Sequence, residues 1–203
     1  MSLLRKIFQF SKTNPTPKED DAASNEAINE LENKPVDEKF AINFKNNGGK
    51  FLYCESMDEA FENFENIVYE NKWEHSTLLC LDKALKEKFA KSTVKLSAEA
   101  VNADCFLATC EFLVADTGAI LFSSEQITEK NIKEFPDYLI VFATTSQFVK
   151  TISDGLQGIK MKHPNRIPSN ITTIKNFETP IDDNFMTYGS SSKKLYLLLL
   201  EDL

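Results

Sequence analysis

The sequence is poor in the residues on which many catalytic and binding chemistries depend. Two histidines occur in 203 residues, and both His75 and His163 stand beside charged residues in stretches that read as loops. Neither a histidine metal site nor a Ser-His-Asp arrangement is supported by them. The four cysteines, Cys54, Cys80, Cys105 and Cys110, are too few for a disulfide framework and too dispersed for an iron-sulfur cluster. Three of them lie inside apolar runs, so they read as small core residues in a reducing compartment. There is no Walker loop and no GxGxxG fingerprint. Basic residues are the minority, 23 against 31 acidic, and the net charge of -8 disfavours nucleic acid as a partner. No run approaches the roughly 18 apolar residues of a membrane span. The opening MSLLRKIFQF is broken by Arg5 and Lys6, so no export segment is expected and the location expected is cytoplasmic.

What is present divides the chain in two. Residues 1–36 read as a mobile N-terminal segment, because from Ser11 to Pro35 charged, amide and proline residues leave too little apolar surface to offset the entropy of ordering. Met1 to Phe10 is apolar and basic at helical spacing, which suits either a peripheral helix or a frayed terminal one. Residues 37–203 read as one α/β domain. Asp37 is expected to cap a helix carrying Phe40 and Phe44, ended by Gly48-Gly49. Phe51 to Cys54 reads as a strand, and Ser56-Met57-Asp58-Glu59 as a capping box before a helix that buries Ala60, Phe61, Phe64, Ile67 and Val68.

A second strand and helix follow: Thr77 to Leu81, then Asp82 as cap with Leu85 and Phe89 inward. Further strands are expected near Asp104 to Cys110, Ala119 to Phe122, Tyr138 to Ala143, Asn170 to Ile174 and Leu195 to Leu200. Between the third and fourth of these, a helix capped by Thr145 or Ser146 should turn Phe148, Val149, Ile152 and Leu156 inward, with Gly155 and Gly158 ending it. Alternation of this kind favours a Rossmann-like layered, mostly parallel sheet.

The most distinctive stretch runs from Ala108 to Leu121. It sets two carboxylates, Glu111 and Asp116, in an apolar context with hydroxyls at Thr109 and Thr117 and a permissive Gly118. Carboxylates there require partners. One reading is a pocket at strand ends for a small anionic ligand, with Glu111 and Asp116 as catalytic candidates. The other is a tight turn in which Asp116 bonds turn amides and Gly118 takes positive φ. Cys110 has no nearby histidine and reads as inert.

The segment ATCEFLVADTGAILF resembles the signature of the LUD domain family (lactate utilisation protein C-like, YkgG family). FPDYLIVFATTSQFV and GGKFLYCES are similar to neighbouring family segments, so the resemblance covers roughly Asp37 to Leu203. It implies a sheet like that of the NagB/RpiA/CoA-transferase-like fold. It also implies a role in oxidation of L-lactate to pyruvate beside iron-sulfur partner proteins, with no cofactor carried by this chain. Thr109, Glu111, Asp116, Thr117 and Gly118 occupy the signature positions as ligand-binding candidates. Asp116 stands where the family usually has glutamate. The family's Gly-Pro-Ser-x-Thr-x-Asp-like segment is absent, and Tyr188-Gly189-Ser190 alone is similar to its His-Gly-Pro-like turn. Loss of that loop removes donors for an anion, which marks a divergent member. Acyl or phosphate-ester chemistry and a purely structural interaction module stand as alternatives.

Overall fold

Two strands set the centre of the molecule because their interior positions, Leu139 to Ala143 and Leu195 to Leu199, are all apolar or aromatic and buried. Tyr138–Thr144 and Lys194–Leu200 pair in parallel along seven residues, and both are buried on both faces, the usual condition of a parallel sheet. The computed structural model describes residues 33–177 and 193–202. The expectations for Met1 to Phe10, for most of the N-terminal segment and for Tyr188-Gly189-Ser190 lie outside the described residues.

In chain order the elements are α1 (Val36–Asn46), β1 (Lys50–Cys54), α2 (Met57–Glu70), β2 (Thr77–Leu79), α3 (Lys83–Lys88), β3 (Lys95–Ser97), β4 (Cys105–Ala108), β5 (Phe112–Val114) and β6 (Ala119–Phe122). There follow α4 (Ser124–Ile127), β7 (Tyr138–Thr144), β8 (Phe148–Val149), α5 (Ile152–Lys162), β9 (Thr172–Ile174) and β10 (Lys194–Leu200). The main sheet has the order β1-β10-β7-β4-β2-β3 with every pair parallel. The period of two along its strands sorts the core. Leu139, Val141, Ala143, Leu195, Leu197 and Leu199 face one side, and Ile140, Phe142, Tyr196 and Leu198 face the other.

The second face is covered by α2 and α3, which bring Phe64, Ile67, Val68, Leu85 and Phe89. The first is covered by α1, through Phe40 and Phe44, and by a smaller sheet of order β8-β5-β6-β9. Outside that smaller sheet lies α5, whose Ile159 packs on Phe112, Val114 and Leu121. The α/β class and the layered, mostly parallel sheet are as the sequence indicates. The smaller sheet is new: β5 and β6 form an antiparallel hairpin, and β9 pairs antiparallel with β6.

Local signals held where one side chain decides them. Asp82 accepts from the Leu85 amide at 2.9 Å and starts α3. Ser56 Oγ accepts from the Glu59 amide at 3.2 Å, but Glu59 reaches the amide of Glu55 and not that of Ser56, so the box at α2 is half formed. Asp37 does not cap α1; Pro35 stands at the cap position, and Asp37 lies within the first turn, where its charge favours the helix start.

The segment after β7 needs a larger correction. Thr145 and Ser146 begin only a single turn of 3-10 helix, Phe148–Val149 is a strand, and α5 starts later, capped by Thr151 with Asp154 returning the bond. Ile152 and Leu156 are consequently exposed. Gly155 and Gly158 do not end α5 but form its inner face. A Cβ at Gly158 would lie 2.5 Å from the Phe112 ring, and one at Gly155 would lie 2.9 Å from Leu121. The missing side chains let the helix settle against β5 and β6, and that close packing offsets the helix propensity that glycine forfeits.

Candidate functional site

The order of the main sheet reverses between β2 and β4, since the chain leaves β2 for β3 on one side and then crosses to β4, β7 and β10 on the other. Sheets of this class bind ligands at such a point, beyond the carboxyl ends of the strands. Polar side chains lie there, Asp82 shortly after β2, Thr109 after β4, Thr145 after β7 and Glu201 after β10. Thr109, directly after β4, lies 3.5 Å from Asp82 across the reversal. Gln147 donates from Nε2 to the carbonyls of Cys110 at 2.6 Å and Glu111 at 3.2 Å, so the end of β7 pins the link between β4 and β5.

Glu111 sits at this end with 3% of its surface exposed. Its Oε1 accepts from Ser123 Oγ at 2.7 Å and from Gln126 Nε2 at 3.1 Å, and Lys162 Nζ on α5 lies 3.7 Å from Oε2. Ser123 and Gln126 also cap α4, so one carboxylate ties β5, α4 and α5 together. Oε1 is thereby committed to Ser123 and Gln126, while Oε2 faces the Lys162 ammonium without a direct hydrogen bond. Lys162 lies over the Phe112 ring, 4.3 Å from its centre, which places its ammonium along the same edge.

Asp116 and Thr117-Gly118 lie at the other end of β5, in the hairpin turn to β6. One face of α1 holds that turn through residues spaced by four. Lys39 Nζ pairs with Asp116 at 2.7 Å, Asn43 Nδ2 donates to the Ala115 carbonyl at 2.8 Å, and Asn47 Nδ2 donates to the Thr117 carbonyl at 2.7 Å. Asp116 therefore bonds a lysine and not the turn amides. Gly118 has φ of +63°, and a Cβ there would lie 2.4 Å from the backbone of Asn43 and Phe44. The position serves a close backbone crossing as well as a turn. Thr117 Oγ1 is buried with no hydrogen-bond partner.

The structure thus brings Thr109 and Glu111 to the carboxyl end of the main sheet and leaves Asp116, Thr117 and Gly118 beneath α1. With about 3.3 Å of rise per residue, the two carboxylates are separated by about 16 Å of chain. All four cysteines are free and buried. Burial pushes the thiols of Cys54 and Cys80 up to about 11 and raises those of Cys105 and Cys110 further, so Cys110 remains a thiol beside Glu111. Among the described residues, no group of three His, Cys, Asp or Glu could hold a metal ion, and no helix is long and apolar enough to cross a membrane.

Sequence reasoning missed the partners. Ser123 and Gln126 carried a legible sign, the S-x-x-Q spacing of a capping box. Lys39, Asn43 and Asn47 carried another, the spacing of four that places them on one helical face. Lys162 and Gln147 had none. Asp202 was also missed, although it closes the end of β7. It accepts from Thr145 Oγ1 at 2.8 Å, from the Ser146 amide at 2.9 Å and from Ser146 Oγ at 2.7 Å. Desolvation acts to raise its pKa, but the bonds from Ser146 and Thr145 outweigh that and bring it down to about 2.

The sequence model of the LUD domain matches residues 38–200. The fold is similar to that in the crystal structure of a DUF162 family protein from Deinococcus radiodurans, with a TM-score of 0.59 and 12% sequence identity over 82% of this chain and 96% of that one. No curated protein matches the sequence.

Proposed function

Because the chain belongs to the LUD domain family, we propose that it is an accessory component of organic-acid utilisation, acting in the cytoplasm on the route from L-lactate to pyruvate. Its partners are iron-sulfur proteins that hold the redox centres, and this chain carries no cofactor of its own. The observation that carries the reading is the family match across 38–200, nearly all of the folded domain. A small organic anion at Thr109 and Glu111 belongs to the same reading.

The geometry favours this role over acyl or phosphate-ester chemistry. Such chemistry would use Glu111 as nucleophile or base and amides near Gly118 as the oxyanion donors. Glu111 is 3% exposed and bonded through Oε1 to Ser123 and Gln126, and the Gly118 turn lies against α1 at the far end of β5. Ile152 and Leu156, exposed on the outermost helix, give an accessory protein an apolar surface to offer a partner.

The test is capture of the tagged chain from lactate-grown cells, with mass spectrometry of what co-purifies and a deletion strain grown on lactate beside it. Recovery of iron-sulfur proteins with a growth defect specific to lactate is expected, and Ile152→Glu should reduce the recovery. Normal growth on lactate without any iron-sulfur partner would overturn the reading.

A further inference from the structure

A hollow lies at the opposite end of the main sheet, where β1, β10 and β7 begin. It encloses about 260 Å3, below the common range of about 300–1,000 Å3 for ligand pockets, so it suits a ligand of only a few heavy atoms. Parallel register builds its polar wall. Lys50 stands opposite Tyr196, and Lys194 opposite Tyr138. Each ammonium lies over its partner's ring, Lys50 at 4.5 Å from the centre of Tyr196 and Lys194 at 4.8 Å from that of Tyr138. Phe177 and Leu195 supply apolar lining.

The two lysines differ in what they have left to give. Lys50 is bonded to Glu70 at 2.8 Å and to Tyr196 Oη at 2.9 Å, and Asn71 spends its amide on the Ile67 carbonyl and on the same Tyr196 hydroxyl. Lys194 touches only the Tyr138 hydroxyl, at 3.3 Å, and has no carboxylate partner among the described residues. Among the described residues, two lysines against the single carboxylate of Glu70 leave one net positive charge in the lining, on a chain whose overall charge is -8. The unspent groups, the Lys194 ammonium and the Tyr138 hydroxyl, are both donors.

We propose that this cavity is a binding site for a small monocarboxylate. Its carboxylate is held by Lys194 and Tyr138, and its short apolar body rests against Phe177 and Leu195. The single net charge matches a monoanion, whereas a dianion brings a second charge with no cation to meet it. The site is separate from the Glu111 region, so the inference stands independently of the accessory role.

The experiment is titration of the isotope-labelled full chain with benzoate and with pyruvate at constant ionic strength, following backbone amide shifts. Inorganic phosphate and succinate serve as the competing anions. Saturable shifts at Gly48, Asn71 and Lys194 with the monocarboxylates are expected, weakened at least about tenfold, one lost charged hydrogen bond, by Lys194→Met and kept by Lys194→Arg. Tyr138→Phe, which removes only a hydroxyl, should weaken binding by a smaller factor and guards against a folding defect in the lysine variant. Absence of saturation, shifts unaltered in Lys194→Met, or tighter saturation by phosphate or succinate would each overturn the proposal.

Discussion

The two ends of β5 present the same chemical problem, a carboxylate beside an apolar strand, and resolve it differently. At the Glu111 end the side chain is 4% exposed, two neutral donors contact it directly, and the nearest lysine stands back at 3.7 Å. At the Asp116 end the side chain is 32% exposed and meets Lys39 at 2.7 Å. The buried group is held by donors within its own layer of the fold. The half-exposed one instead serves to dock a helix from elsewhere. Neighbouring positions in a distinctive sequence segment therefore need not share a site, and burial decides which kind of partner each acquires.

The sharpest way to break the comparison is at the helix contact. Gly118→Ala requires positive φ of a residue with a Cβ and drives that atom into the backbone of α1. The left-handed conformation costs about 1–2 kcal/mol and the overpacking a further 1–3 or so, for a destabilisation of about 3 kcal/mol by urea unfolding. A loss below about 1 kcal/mol would mean that α1 is readily displaced, and the Asp116 end would then be open to a ligand. Next comes Glu111→Ala, which leaves Ser123 and Gln126 without their shared acceptor and should cost about 2–3 kcal/mol. Retention of full stability would release Glu111 from its structural role and revive it as a reacting group. Asp116→Asn should cost only about 1 kcal/mol, diminishing with added salt, because the pair with Lys39 is partly in water. Should the aspartate variant prove the more destabilising of the two, burial would not be what separates them.

The centre of the main sheet was legible because its strands are continuous apolar runs: Tyr138 to Ala143 and Leu195 to Leu200 admit little else, whereas the edge strand β3, Lys95–Ser97, has no such run and was not expected. Caps that rest on one side chain, such as Asp82 and Ser56, were legible for the same reason. The smaller sheet was not, since Phe112–Val114 and Phe148–Val149 are too short for any periodicity to emerge. Nor was the start of α5, where the better capping pair, Thr151 with Asp154, stands six residues beyond Thr145. Glycine misled most. Gly155 and Gly158 suggest a helix end when read along the chain, and only the Phe112 ring and Leu121 across the layer explain them. The candidate site was half legible: the need of Glu111 and Asp116 for partners follows from desolvation, but the identities of Lys162 and Lys39 depend on folding across long stretches of chain.

Asp202 supplies a third carboxylate that sharpens the contrast, because it is exposed and yet strongly bonded. Its folded pKa, brought down to about 2 by Ser146 and Thr145 against the effect of desolvation, lies below the roughly 3.9 of an unfolded aspartate. A depressed acid contributes stability above its unfolded pKa and loses it as pH falls through the folded value. The window is therefore about pH 4 down to about pH 2. Comparison of the parent chain with Asp202→Asn by urea unfolding should show a small difference that is constant from pH 7 to about pH 5 and fades by about pH 2. Solvent screening at this exposed position makes it the smallest of the effects, well below that of Asp116. A difference that persists unchanged at pH 2 would mean that the bonds to Thr145 and Ser146 do not depend on the charge. The contrast between the ends of β5 would then rest on hydrogen-bond geometry, with exposure secondary.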